Sequence, residues 1–194
     1  MKVAFCDARG LLNDLNDKLG GENGDRWLEK LKQMLREATF PTWRKLQIGL
    51  LWSVDSLHQL LVDDGFKISE YAGQILNKAK LVKGVTELEL VVITQVDLGF
   101  PEGTTFENMV LRAKEWGLER CPAEVGPYLR LVYKDQPKGE WLRIAMEPIA
   151  DSGGGLGVFD VGHDDDGLWL HTSWFVPQYI WDPDDRWVVV RSRK

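Results

Sequence analysis

The chain has 194 residues, 44% of them hydrophobic, with nine tryptophans and a formal net charge of −6. That length fits one domain, or one domain with a small helical subdomain, and the apolar content can bury a core, which excludes global disorder. No apolar run reaches the roughly 18 residues of a membrane span, and an acidic chain lacks the basic footprint of a general polyanion binder.

The opening MKVAFCDARG has no apolar signal-peptide core ahead of Asp7 and Arg9. Cys6 and Cys121 form no CxxC spacing, so reduced thiols in a cytoplasmic protein are expected. The charge is uneven: the eight acidic residues from Asp151 to Asp185 are all aspartate, with no Lys or Arg among them, and the remainder is slightly basic.

In chain order, Leu11, Leu12, Leu15 and Leu19 fit a helical stripe that Gly20-Gly21 would stop. Asp25 is placed to cap a second helix, where Trp27, Leu28, Leu31, Met34 and Leu35 recur at amphipathic spacing and read as a core face. Phe40-Pro41 breaks that helix, and residues 43–51 can form a short strand. Ser53 caps a helix through Leu57, Leu60 and Leu61, stopped by Gly65, and Ser69 caps another through Tyr71, Ala72, Ile75 and Leu76.

Residues 79–86 read as a connection, so a helical subdomain over 1–82 and a sheet domain over 83–194 are expected, unless the two form one continuous domain. The run TELELVVIT from Thr86 predicts a well-buried strand. Thr104 and Glu107 make a capping-box pair ahead of Phe106, Met109, Val110, Ala113 and Trp116. Residues 128–149, YLRLVYKDQPKGEWLRIAMEPI, read as two strands around the turn at Asp135–Gly139. Residues 156–163 and 168–174 predict a second hairpin, and 186–191 a last strand. The fold class is therefore α+β: an N-terminal helical region, then a mostly antiparallel sheet of about five to six strands with one packed helix.

The stretches DRWLEKLKQMLRE with FPTW, GLERCPAEVGPYLRLVYKDQPKGEWLRIAMEPI, and more loosely DDDGLWLHTSW and DDRWVVVR, together resemble a family of uncharacterised bacterial proteins typical of candidate-phylum genomes. The resemblance covers most of the chain and implies one coherent protein. It implies no activity, ligand or catalytic residue.

The chemistry-bearing residues concentrate in VFDVGHDDDGLWLHTSW. A turn at Asp164–Gly167 would set His163 opposite Leu168 and Asp160 opposite His171, leaving Asp160, Trp169 and His171 on one face. An Asp–His pair beside a Trp suits an orienting carboxylate with a general base, or two metal ligands; the competing reading is a sheet-stabilising cross-strand contact. Asp164 and Asp166 extend the candidate metal set of Asp160 and His171, although the turn lacks the alternating ligands and final Glu of a calcium loop. With His163, Trp174, Tyr179 and Trp181, these residues form an acidic, aromatic candidate binding surface over 160–187.

No GxSxG, Walker, HExxH or GxGxxG motif is present. The expectation is a non-enzymatic binding or interaction protein, with no cofactor and no membrane partner, for a polar small molecule, glycan or basic partner. Two alternatives stand beside it: a small, metal-assisted hydrolase centred on Asp160 and His171, and a nucleic-acid binder using a helix-turn-helix-like segment at 53–80. The second helix of that segment offers no arginine to a base edge, which argues against the nucleic-acid alternative.

Overall fold

A computed structural model describes residues 5–51 and 53–192, and divides the chain into two compact units, Met1–Pro41 and Thr42–Lys194. The first unit is a helical hairpin, α1 (Phe5–Gly20) and α2 (Gly24–Thr39). Its break falls at the expected glycines, but Asn23 rather than Asp25 holds the cap position, and Asp25 lies in the first turn of α2, where its charge suits the positive end of the helix dipole. The α2 stripe corrects an expectation. No residue of α2 is buried, and Leu28, Met34 and Leu35 are exposed.

In the second unit the strands are β1 (Arg44–Ile48), β2 (Lys67–Ile68), β3 (Thr86–Ile93), β4 (Leu118–Glu119), β5 (Trp141–Ile144), β6 (Ile149–Ala150), β7 (Leu156–Asp164), β8 (Gly167–Trp174) and β9 (Trp187–Arg191). They make one sheet of order β1-β3-β9-β5-β7-β8-β2, with β4 on β9 and β6 on β7. The α+β class stands. The sheet is mixed, however, since β5 runs parallel to β9 and β2 parallel to β8. Nor does the sheet wait until after residue 82: β1 and β2 belong to it, and the boundary expected there falls inside this unit. Two-residue strands such as β2 and β4 carry no periodicity, and their pairing is long-range, so neither could be read from local pattern.

Four helices accompany the sheet: α3 (Val54–Asp63), α4 (Glu70–Leu76), α5 (Phe106–Glu115) and α6 (Val125–Val132). Ser53 and Ser69 cap α3 and α4 as expected, accepting from the amides of Ser56 and Ala72. The cap of α5 is Thr105, one residue later than the capping box suggests; the Thr104 amide is instead held by Gln95 Oε1.

The largest correction concerns residues 128–149. The first arm of the expected hairpin is α6, and only the return arm is a strand, β5. Pro127 sits in the first turn of α6, where no intrahelical donor is needed. Residues Val125 to Arg130 are all buried, so that run has no solvent-facing side and a short alternation within the segment does not specify a strand. Gly126 brings the helix onto the sheet, for a Cβ there would lie 2.7 Å from Phe159 Cβ.

Alternation along the strands divides the sheet into two faces. One carries Leu46, Leu90, Val188, Ile144, Phe159 and Leu170, all buried, with α4 and α6 packed on it and α3 against α6. The other carries Ile93, Trp187, Arg143, Asp160 and His171 in one row across five strands. The α5 helix covers this second face at Trp187, where Phe106 meets its ring at 5.3 Å. Among the described residues no helix is long and apolar enough to cross a membrane.

Candidate functional site

The part of the second face that α5 leaves open lies over β5, β7 and β8. The β7–β8 hairpin adopts the expected register, with His163 opposite Leu168, Val161 opposite Leu170 and Asp160 opposite His171. The turn residues and the apolar face together enforce it, because a slip of one residue would bury Asp160, Trp169 and His171 on the α6 side.

Asp160 is 5% exposed. One carboxylate oxygen accepts from the Ser173 hydroxyl, and the other, Oδ1, is buried without a partner. Ser173 Oγ also accepts from Arg143 Nε at 3.3 Å, so the hydroxyl relays the arginine to the carboxylate. Arg143 pairs with Asp185, and its guanidinium lies 5.2 Å from the Trp181 ring and 5.9 Å from that of Trp187. Burial pushes the Asp160 carboxyl up to about 7, while the Ser173 hydrogen bond and the Arg143 charge pull the other way.

Beside this row runs a second, Trp141–Gly162–Trp169–Lys67. The indole of Trp141 lies directly over Gly162, where any Cβ would overlap its six-membered ring. The missing side chain at Gly162, not its backbone angle, lets the ring lie there. His171 stands edge-on to Trp141 at 5.7 Å and to Trp169 at 6.3 Å. Trp169 Nε1 donates to Asp164 Oδ1 at 2.8 Å, which fixes that ring, and Lys67 Nζ approaches it at 5.2 Å. At the end of β5 the Arg186–Glu140 ion pair joins the Arg143–Asp185 pair around a cleft of about 460 Å³ that also touches Trp141 and Asp184.

Of the candidate residues, Asp160, Trp169 and His171 come together as expected. Trp181 lies against Arg143 but is core, 4% exposed and edge-on to Trp187 at 5.0 Å; Tyr179, exposed, covers it at 5.1 Å. His163 and Trp174 fall on the opposite face. His163 Nδ1 lies 2.6 Å from the Gln136 carbonyl, and Trp174 meets Tyr71 of α4 at 4.7 Å.

The metal set does not assemble. Asp164 is engaged by Trp169 and by the Asp166 amide, Asp166 faces Lys67 across 3.9 Å, and among the described residues no three His, Cys, Asp or Glu converge on a possible ion. The helix-turn-helix segment is also rearranged. Strand β2 separates α3 from α4, and α4 is seven residues long with Ala72, Ile75 and Leu76 buried, which leaves no free recognition helix.

Four residues of the site were not foreseen: Trp141, Arg143, Ser173 and Asp185. Trp141 and Arg143 carry a local signal, since they alternate with the buried Leu142 and Ile144. Their position beside Asp160 depends on the β5–β7 pairing, for which no local pattern exists. No family model, no curated protein and no solved structure matches the chain.

Proposed function

We propose that this chain is a binding protein that takes a polar small molecule on the open sheet face over β5, β7 and β8. The observation that carries this reading is the pair of accessible indoles, Trp141 and Trp169, flanking His171 directly beside the Arg143–Ser173–Asp160 relay. Aromatic surface next to a few oriented polar groups is the composition of a small-molecule site, and exposed indoles beside carboxylates are a recurring recognition device. A cytoplasmic setting fits the buried free thiol of Cys121.

The test is a ligand-observed NMR screen of a polar small-molecule library against the full chain, repeated with Trp141→Ala and Trp169→Ala. Hits should vanish in both variants and persist in Tyr71→Ala, which alters the opposite face. Hits indifferent to both tryptophans would overturn the reading.

A second reading, a hydrolase centred on Asp160 and His171, draws on their pairing in register and on a carboxyl that titrates near neutrality. It requires turnover of an ester or glycoside that Asp160→Asn abolishes; equal turnover by both proteins sinks it.

A further inference from the structure

We infer that the ligand of this face is a neutral polyhydroxylated ring, a saccharide, and that its seat is the cleft between Trp141 and the 184–186 segment. The inference rests on the binding reading above and narrows its ligand class.

The first ground is the platform. Trp141 is 37% exposed and lies over Gly162, with His171 against its edge. An exposed indole offers a broad apolar surface, which suits the C–H face of a pyranose ring.

The second ground is the charge of the cleft. Its lining holds two arginines and three carboxylates. Arg143 is paired with Asp185 and Arg186 with Glu140, so neither cation is left over for an anionic ligand. A cationic ligand would meet a nearly neutral pair of ion pairs and one further carboxylate, Asp184. What the paired groups do present is alternating donors and acceptors in planar, fixed geometry. A vicinal diol, each hydroxyl both giving and accepting, matches that pattern without an unpaired charge being desolvated.

The third ground is independent of the cleft's charge. Asp160, opposite Arg143 in register and nine-tenths buried, keeps Oδ1 without a donor. The Nε1 atoms of Trp181 and Trp187, the two indoles beneath Arg143, are buried without acceptors. None of these three residues lines the cleft itself, but each pairs with or contacts Arg143, which does; a hydroxyl entering beside that guanidinium can satisfy both an acceptor and a donor, which a carboxylate or a quaternary ammonium cannot.

The experiment is a saturation-transfer NMR and calorimetric comparison on the full chain with three probe sets: neutral mono- and oligosaccharides, choline as a quaternary ammonium, and sugar phosphates or uronates as anions. Saccharide binding is expected, with transfer strongest to ring C–H protons. Affinity should fall at least tenfold in Trp141→Ala and in Asp184→Asn, and stay unchanged in Tyr71→Ala. Thermal melts confirm that each variant is folded. Binding of choline or of the anions in a Trp141-dependent manner, with the saccharides inert, overturns the saccharide class and leaves the binding reading intact. If no probe of any set responds to Trp141→Ala, both fail.

Discussion

Arg130 gives the sharpest test of how this fold is held together. It lies in α6 with no exposed surface, and its charge is met by oxygens and a ring rather than a carboxylate. Nη1 donates to Gln136 Oε1 at 2.6 Å and to the Gly162 carbonyl at 3.1 Å, Nη2 donates to the Tyr133 carbonyl, and the guanidinium stands 5.1 Å from the Phe66 ring. Burial lowers its pKa to about 10, so it stays protonated at neutral pH. Removing it leaves three acceptors unmet at roughly 1–3 kcal/mol each. Against that stands relief of the cost of burying a guanidinium, several kcal/mol in effect. In Arg130→Met, where the stem still fills the space, the two terms nearly offset and the net loss should be about 0–2 kcal/mol. In Arg130→Ala a cavity adds about 2–4 kcal/mol, so a loss of about 2–6 kcal/mol is expected. Urea unfolding monitored by tryptophan fluorescence, with the slope held equal across variants, measures both. An alanine variant within about 1 kcal/mol of the parent, or a methionine variant as unstable as alanine, refutes the reasoning.

The remaining predictions follow from single contacts. The Asp160 carboxyl sits at about 7 against an ordinary 3.8, so the folded state binds the extra proton between those values and stability falls as pH rises through that window. Asp160→Asn should remove a fall on the order of 2–4 kcal/mol between about pH 4 and 7, at 1.36 kcal/mol per pKa unit; parallel unfolding curves for the two proteins would contradict this. Gly126→Ala should cost about 1–3 kcal/mol by overpacking against Phe159, despite the alanine's helical preference of up to about 1 kcal/mol; a more stable variant in thermal melts would show that α6 can move. Gly162→Ala should cost less than about 1 kcal/mol, because the exposed Trp141 ring can swing aside, while its indole N–H resonance shifts; an unshifted resonance would mean the ring is not where Gly162 places it. Cys121 is buried and its thiol pKa is pushed up by that burial, so iodoacetamide should leave it unmodified in native protein and alkylate it in urea, read by peptide mass spectrometry.

The site was legible in the sequence wherever one local element carries it. Asp160, Trp169 and His171 belong to a hairpin whose turn and period-two pattern set the register, and that register is the observed one. The helices α3 and α4 announced themselves through Ser53 and Ser69. Where the pattern misled, most of the segment was buried whatever its polarity: Tyr128 to Val132 alternates well enough for a strand but lies in α6, with Tyr128, Leu129 and Arg130 buried and Val132 exposed. The metal set failed for a related reason. Four acidic and histidine positions close in sequence diverge once the turn satisfies Asp164 from Trp169 and its own backbone.

By itself, then, the sequence determined the helical hairpin's break, the serine caps, the long strands β3, β7 and β8, and the face that Asp160 shares with His171. Tertiary structure alone decided that β5 lies between β9 and β7, parallel to the first and antiparallel to the second. That placement brings Arg143 to Asp160, Trp141 over Gly162 and Asp185 to Arg143. The physical reason is range. Caps, turns and alternation are short-range preferences written in neighbouring residues, whereas strand order is chosen by which assembly buries the most apolar surface while pairing every backbone group, a property of the whole chain.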